Sequence, residues 1–200
     1  MIAVLSVLDL DQSRDQLRTR FGFVALGRDL LALGDQRILL CTAGREPASM
    51  LRLPMDHVAF RVPDADVADA AFGAAGLVRH AAFTPDGPRD IDEFWENGVR
   101  FVFFAGPDGW PFEFCAIRGA PPAVPAYGHG HYGLRVADLD LAEQDLAALG
   151  AVRIASHRIE GSGGAVTVRF LRLGAEVFEL FDEPPVSPRS DSGWVGLLDD

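Results

Sequence analysis

Two histidines and two glutamates occupy equivalent positions in a repeated part of the sequence. Residues 57–66 (HVAFRVPDAD) recur as residues 131–140 (HYGLRVADLD), an offset of 74 residues, and a Phe-Glu pair near the end of the first repeat has a counterpart near the end of the second. Similarity at a fixed offset indicates an internal duplication. The four residues that recur in this way are His57, Glu113, His131 and Glu179.

Two imidazoles and two carboxylates without a thiolate are a donor set typical of a divalent first-row ion rather than of a structural zinc site. One histidine at the start of a strand is most often an ordinary polar residue, but a His and a Glu that both recur in two repeats favour a shared site. We therefore predict that these four side chains bind one divalent ion of nickel, cobalt, zinc, manganese or iron. His129 is a competing ligand two residues before His131, and the alignment of the repeats selects His131.

Short apolar segments surround these residues and are typical of strands. Each repeat has the same order of elements, one strand, one helix and three further strands, which predicts an α+β fold of βαβββ modules. The strands of the second module are predicted at 57–62, 78–83, 99–104 and 111–117. Because alternate side chains of a strand share one face, the ligands are expected on the face that the helix leaves open. Two modules paired about a local two-fold axis would form an eight-stranded cup around them.

The chain is predicted to contain three modules and a tail. The boundaries are 1–45 for a degenerate module without metal ligands, 56–118 and 130–183 for the two paired modules, and 184–200 for an extended or mobile tail. The first module has Ile2 and Leu39 at the vacant ligand positions, so its concave face is apolar and must be covered. We expect a homodimer in which the first modules of two chains pack together. Packing onto the outside of its own module pair is the alternative.

Composition restricts the partners of the protein. The formal net charge is −11 and the chain contains no lysine, so neither nucleic acid nor an anionic membrane is expected as a partner. No apolar run approaches the ~20 residues that span a bilayer, and no secretion signal is evident. Cys41 and Cys115 lie in apolar runs, which is typical of free thiols in a reducing compartment. We expect a cytoplasmic protein with a small-molecule substrate.

The pattern His-x-x-x-Arg-Val-x-Asp, followed by a helix that ends in Gly and later by residues 106–114 (GPDGWPFEF), resembles the vicinal oxygen chelate superfamily. The resemblance covers residues 56–183 well and residues 1–45 more faintly. It indicates the fold more strongly than the substrate. Within the superfamily, a His and a Glu from each of two paired modules are similar to the ligand set of glyoxalase I.

The resemblance to glyoxalase I implies a metal-dependent lyase or isomerase that acts on a substrate with vicinal oxygens through an enediolate-like intermediate. One glutamate would move the proton as general base, with Glu179 preferred and Glu113 as the symmetric alternative. Arg61 occupies the position that contacts the glutathione carboxylate in glyoxalase I, and Arg135 repeats it. Both arginines are therefore predicted to bind substrate, and glutathione is a candidate co-substrate.

An insertion at 84–98 departs from this pattern and contains two aromatic residues, Phe94 and Trp95. We predict that it forms a lid whose rings contact an apolar ligand; a surface loop anchored by the same rings is the alternative. Two other functions are compatible with the ligand residues. A ring-cleaving Fe(II) dioxygenase would use two His and one Glu, which would leave Glu113 superfluous. A metal-free protein of the bleomycin-resistance type would bind a drug in the cup, and metal content separates it from the enzymes.

Overall fold

The computed structural model describes residues 1–120, 127–161, 164–182 and 191–199. In these residues the chain forms three α-helices and two sheets, one of eight strands and one of six. The predicted α+β fold of repeated βαβββ modules is confirmed. None of the helices in the described ranges is long and apolar enough to cross a membrane.

The first module begins with an extended apolar segment and a helix whose first turn is capped by a side chain. Asp9 accepts a hydrogen bond from the Gln12 N–H, which satisfies one of the free donors at the helix start. The elements of this part of the chain are β1 (Ile2–Ser6), α1 (Leu10–Thr19), β2 (Val24–Ala25), β3 (Leu30–Leu33), β4 (Gln36–Cys41) and the short β5 (Leu51–Arg52).

The second and third modules share this plan, and each helix is again capped by an aspartate, Asp64 or Asp138. The second contains β6 (Met55–Arg61), α2 (Ala65–Ala74), β7 (Arg89–Ile91), β8 (Val99–Ala105) and β9 (Pro111–Ile117). The third contains β10 (Gly128–Arg135), α3 (Leu139–Ala148), β11 (Val152–Gly161), β12 (Gly164–Leu173) and β13 (Glu176–Phe181). A last strand, β14 (Gly193–Leu198), follows.

One predicted strand of the second module is wrong. Residues 78–83 contribute a single bridge, between Arg79 and Phe104, and then turn away. The turn is closed by hydrogen bonds from the backbone N–H groups of Phe83 and Thr84 to the carbonyl of His80. The insertion that follows returns to the sheet and supplies the edge strand β7 instead, which pairs with β8.

The eight-stranded sheet contains the two complete modules, in the order β11-β12-β13-β10-β6-β9-β8-β7. Its centre is the antiparallel pair of first strands, β10 and β6, and each of them also pairs in parallel with the last strand of its own module. This arrangement places the two modules side by side in one sheet, related by a local two-fold axis. The predicted pairing of two modules into one curved sheet is confirmed.

The six-stranded sheet has the order β2-β3-β4-β1-β14-β5. Its centre repeats that of the larger sheet, because β14 runs antiparallel to β1 as β10 runs antiparallel to β6. The pairing of β10 skips one residue, Gly130, and the pairing of β14 skips Val195 at the corresponding place. A segment predicted as part of a tail therefore occupies the position of a fourth module's first strand.

One face of the six-stranded sheet packs against the outer face of the eight-stranded sheet, and the two form a single hydrophobic core. The rings of Phe21 and Phe112 lie 5.0 Å apart and those of Phe23 and Phe60 lie 5.7 Å apart.

The face of the six-stranded sheet that packs carries Ala3 and Leu5, so the first module lies on the outside of its own module pair. Ile2 and Leu39, at the vacant ligand positions, are on the other face and are only half-buried. The packing therefore does not cover the face that was expected to need a cover, and the homodimer stays a prediction. On the opposite face, Val4 and Cys41 are buried beside Met50.

Candidate metal centre

Two rows of side chains cross the centre of the eight-stranded sheet on its concave face. Each row consists of a glutamate, a small residue and a histidine on neighbouring strands. The first row is Glu113 on β9, Ala59 on β6 and His131 on β10, and the second is Glu179 on β13, Gly133 on β10 and His57 on β6. The structure therefore brings the four predicted ligands to one place, and the local two-fold axis relates the rows.

The four side chains form a buried cluster whose candidate donor atoms all lie within 4.8 Å of one another. Nε2 of His57 lies 3.1 Å from Glu113 Oε2, and Nε2 of His131 lies 3.1 Å from the same oxygen and 3.2 Å from Glu179 Oε2. All four residues are less than a tenth exposed. Two imidazole nitrogens and two carboxylates that converge in this way fit a divalent ion.

The small residues at the middle of each row make room for the imidazoles. A Cβ atom on Gly133 would lie 2.1 Å from Cε1 of His57, so only glycine fits beneath this ring. Ala59 holds the equivalent place in the other row and is fully buried. The alignment of the internal repeats selected the four candidate ligands but not these two residues, because their role depends on strand register.

A β-bulge precedes each histidine of the site. On β6 the pairing passes from Met55 to His57 and skips Asp56, and on β10 it passes from His129 to His131 and skips Gly130. A bulge re-aims the side chains that follow it. The bulge on β10 separates the two candidate histidines of that strand. His131 joins the cluster, whereas His129 lies opposite Phe60, a core residue.

His129 belongs to a contact between the first module and the cup. Its Nδ1 donates to Gln36 Oε1 at 2.6 Å, and its Nε2 accepts the Val177 N–H at 3.1 Å. Burial lowers the pKa of His129 to about 4, so the ring is neutral at neutral pH. Asp35, next to Gln36, accepts the backbone N–H of His129. The hairpin between β3 and β4 therefore holds the bulged end of β10.

The cluster itself is charged in the absence of metal. Burial opposes charge on the His131 ring, but Glu179 and Glu113 outweigh it and raise the pKa of His131 to about 9. The pKa of His57 is likewise raised well above its ordinary value, because hydrogen bonds to Asp56, Glu113 and Glu179 outweigh burial. The pKa values of both glutamates are lowered by the histidines despite burial. A metal ion would replace the protons between these groups.

A third acid, Asp56, contacts the site and was missed by the alignment of the internal repeats. Its Oδ2 lies 3.1 Å from Nδ1 of His57, and its Oδ1 accepts a hydrogen bond from Arg135 Nε at 2.9 Å. The His57 and Arg135 partners outweigh burial and lower the pKa of Asp56, which is ionised. Asp56 aligns with Gly130 in the repeat, so a search for recurring residues discards it. An acid within the apolar run of β6 was the signal available.

No family model matches the sequence, and no curated protein matches it. Solved structures do. Glyoxalase I from Zea mays superimposes with a TM-score of 0.65 at 18% identity, over 97% of this chain and 70% of that chain. A putative dioxygenase from Bacillus subtilis superimposes with a TM-score of 0.52 at 14% identity, over 98% of this chain and 66% of that chain. The chain has the vicinal oxygen chelate fold. At these identities the likeness concerns the fold alone.

In this vicinal oxygen chelate fold the cluster forms one wall of a cavity of about 420 Å³. The other walls are mainly apolar, and the two predicted lid residues, Phe94 and Trp95, are among those that line it. Their rings pack 5.1 Å from the ring of Phe170 on β12, so the insertion of the second module reaches a strand of the third. Trp95 has a φ of 55°, an unusual conformation for a residue other than glycine.

The two predicted substrate-binding arginines lie in different surroundings. Arg61 lines the cavity, its side chain is 40% exposed, and its guanidinium is 4.0 Å from Asp35. Arg135 does not line the cavity; its side chain is 12% exposed and holds Asp56. Cys115 also lines the cavity, and burial raises the pKa of its thiol well above the ordinary value, so it is a neutral wall residue.

Proposed function

We propose that this chain is a divalent-metal-dependent lyase or isomerase of the glyoxalase type, acting on a small substrate with vicinal oxygens. The observation that carries the proposal is the convergence of two imidazoles and two carboxylates at the base of an apolar cavity. Buried charged groups are costly unless they are paired or hold a metal, and they concentrate at functional sites. A purely structural role for these side chains would not require them to line a cavity.

The ligands would be His57, Glu113, His131 and Glu179, holding one ion of nickel, cobalt, zinc, manganese or iron. When bound, such an ion supplies Lewis-acid polarisation of two vicinal substrate oxygens. Glu179 is the preferred general base and Glu113 the alternative, since either carboxylate lies at the cavity wall and could accept a proton from a substrate carbon. The apolar walls exclude water and strengthen the electrostatic interactions of the charged wall with a bound substrate.

The cavity supports a substrate with an apolar part and an anionic part. The apolar part would contact Phe94, Trp95 and Phe170, which form a continuous aromatic wall. The anionic part would pair with Arg61 at the exposed side of the cavity. Arg135 is held by Asp56, so we assign anion binding to Arg61 rather than to both arginines. An adduct of glutathione with an aromatic 2-oxoaldehyde would combine an apolar ring with anionic carboxylates, and glutathione is therefore the first co-substrate to test.

The experiment begins with protein purified without a metal-binding tag. Elemental analysis is expected to find about one divalent ion per chain, and isomerisation of 2-oxoaldehydes, with and without glutathione, is expected to stop on chelation and return with Ni²⁺, Co²⁺ or Zn²⁺. Arg61→Ala should raise KM for an anionic substrate with a smaller effect on kcat, as expected for loss of uniform binding. Ligand binding that is insensitive to chelation would favour a metal-free binding protein, and oxygen uptake with catechols would favour a dioxygenase.

A further inference from the structure

The two halves of the metal centre differ at one residue, the one in the bulge before each histidine. In the second module this residue is Asp56, and in the third it is Gly130. A side chain on Gly130 would be obstructed, because its Cβ atom would lie 2.9 Å from the carbonyl oxygen of Ala59. Only the bulge of β6 can therefore place an acid beside its histidine.

Asp56 is buried and paired in this place. It is 8% exposed, and Arg135 from the neighbouring strand β10 donates from Nε to its Oδ1 at 2.9 Å. The Arg135 guanidinium also lies over the ring of Phe181, 5.1 Å from its centre. That ring in turn stacks with the imidazole of His57 at 6.1 Å and 24°. Arg135 thus supports both the acid that contacts His57 and the ring that lies against it.

His131 has no equivalent acid. Among the described residues, the carboxylates within 4.0 Å of His131 are those of Glu113 and Glu179, and both approach its Nε2. Arg61, which the local two-fold axis relates to Arg135, faces Asp35 of the first module. The Asp35 carboxylate accepts the backbone N–H of His129 and does not reach the His131 ring. The four candidate ligands of the centre are therefore related by the two-fold axis, but only His57 has an additional acid beside its ring.

We propose that Asp56, held by Arg135, is a positioning residue of the metal centre that makes His57 its dominant imidazole ligand. The inference rests on the metal site of the proposed function. Asp56 accepts the Nδ1–H of His57, which fixes the tautomer with Nε2 toward the other ligands and increases the basicity of that nitrogen. His131 lacks this support and is the weaker of the two imidazoles.

The test measures Co²⁺ affinity by chelator competition, using Co²⁺ alone as the probe. Asp56→Asn is expected to weaken Co²⁺ binding about 10–100-fold, the usual cost of removing the acid that orients a ligand histidine. Asp69→Asn is the matched control, because Asp69 also pairs with an arginine, Arg79, through two hydrogen bonds and contacts no ligand. It should change the affinity less than about twofold. The visible spectrum of bound Co²⁺ should shift in Asp56→Asn and not in the control.

A double-mutant cycle distinguishes positioning from a general structural effect. In a His57→Gln background, Asp56→Asn should cost little further affinity, because the ring that it orients is absent. In a His131→Gln background it should cost the same factor as in the wild type. A full loss in the His57→Gln background, or an equal loss in Asp69→Asn, overturns the proposal, as does an unchanged affinity of Asp56→Asn.

If Asp56→Asn does not fold, the wild type decides the question by NMR. In ¹⁵N-histidine-labelled protein with Zn²⁺, His57 is expected to carry its proton on Nδ1 in a strong hydrogen bond, with the metal on Nε2. The opposite tautomer of His57 overturns the proposal. A wild type that binds no Co²⁺ or Zn²⁺ refutes the proposed function itself, which is a different result from a wild type that binds metal without help from Asp56.

Discussion

The two sheets of this protein are built from the same module, yet in the described part of the chain only one has a cluster of histidines and glutamates at its centre. In the eight-stranded sheet the first strands carry His57 and His131. In the six-stranded sheet, Ile2 and Gly196 occupy the corresponding positions of β1 and β14. β1 and β14 nevertheless keep the antiparallel register of β6 and β10, and β14 keeps the bulge of β10. The module's fold therefore does not depend on the histidines of the candidate metal centre, whose positions can be occupied by apolar residues or glycine without loss of the sheet.

The first prediction concerns the two carboxylates of the larger sheet, which the repeat makes formally equivalent. Glu179→Gln is expected to reduce turnover about 10²–10⁴-fold while metal occupancy falls much less, because an amide still offers an oxygen to the ion but does not accept a proton. Glu113→Gln is the matched variant; its amide also offers an oxygen to the ion, so metal occupancy should fall little and activity should fall only in proportion to it. Steady-state kinetics with metal analysis of the same samples checks both, and proportional losses in Glu179→Gln would show that it is only a ligand.

The second prediction contrasts the two histidines that β10 places on opposite sides of its bulge. His131→Ala is expected to weaken metal binding at least about a hundredfold, because a direct ligand matters more than an outer-shell partner. His129→Ala is the control, since its ring bonds to Gln36 and the Val177 N–H, and it should keep its metal. Chelator competition measures both. Loss of metal in His129→Ala with retention in His131→Ala would mean that the site uses the other histidine.

The third prediction tests the space beneath His57. Gly133→Ala should push the imidazole out of the cluster, lower metal affinity by about tenfold or more, and destabilise the fold by about 1–3 kcal/mol, the usual cost of overpacking. Gly73→Ala in α2 is the control, because its Cβ would contact nothing within 4 Å. A helical Gly→Ala change there should be neutral or stabilise by about 0.5–1 kcal/mol. Denaturant unfolding and metal titration check both effects. Wild-type stability and metal affinity in Gly133→Ala would contradict the prediction.

The fourth prediction uses the charges of the metal-free cluster. Both histidines have raised pKa values, that of His131 being about 9, so their contribution to stability is complete below about 6.5 and is lost as pH rises through about 9. Both glutamates have lowered pKa values, so their contribution to stability is complete above about pH 4.5 and is lost as the pH falls below that value. Chelator-treated protein should therefore have its highest melting temperature near pH 5–6.5 and lose several degrees by pH 9. The His57→Gln, His131→Gln double variant should show a flatter profile; an equally steep one would contradict this origin.

The smallest expected effect concerns the contact by which the ligand-free sheet supports the cup. Gln36→Leu removes the acceptor of His129 and should cost about 1–3 kcal/mol of stability, as for other unsatisfied buried polar groups. Metal affinity should stay within about threefold of the wild type. Gln12→Leu, an exposed position on α1, is the control for adding an apolar side chain. A Gln36→Leu protein with wild-type stability would show that the first module does not support β10 through this residue.

The repeat was sufficient to predict the module order, the pairing of two modules and the four side chains that converge in the cluster, because these follow from local pattern and from what recurs. Features that do not recur were missed. Asp56 has glycine as its counterpart, and the strand expected at 78–83 is displaced by an insertion that only the second module contains. β14 was missed for another reason, since its pairing partner lies at the other end of the chain. Residues 184–190 and residue 200 of the predicted tail lie outside the described residues.

The pairing of β14 with β1 has a consequence for how the protein is made. Ala3 lies opposite Leu197, so the chain must be synthesised through residue 197 before this contact can form. All strands of the eight-stranded sheet lie within residues 55–181 and can leave the ribosome earlier. Until then β1 has β4 on one side and an unpaired edge on the other, and such edges promote aggregation. Folding of the nascent chain is therefore expected to build the cup first and to complete the N-terminal sheet last.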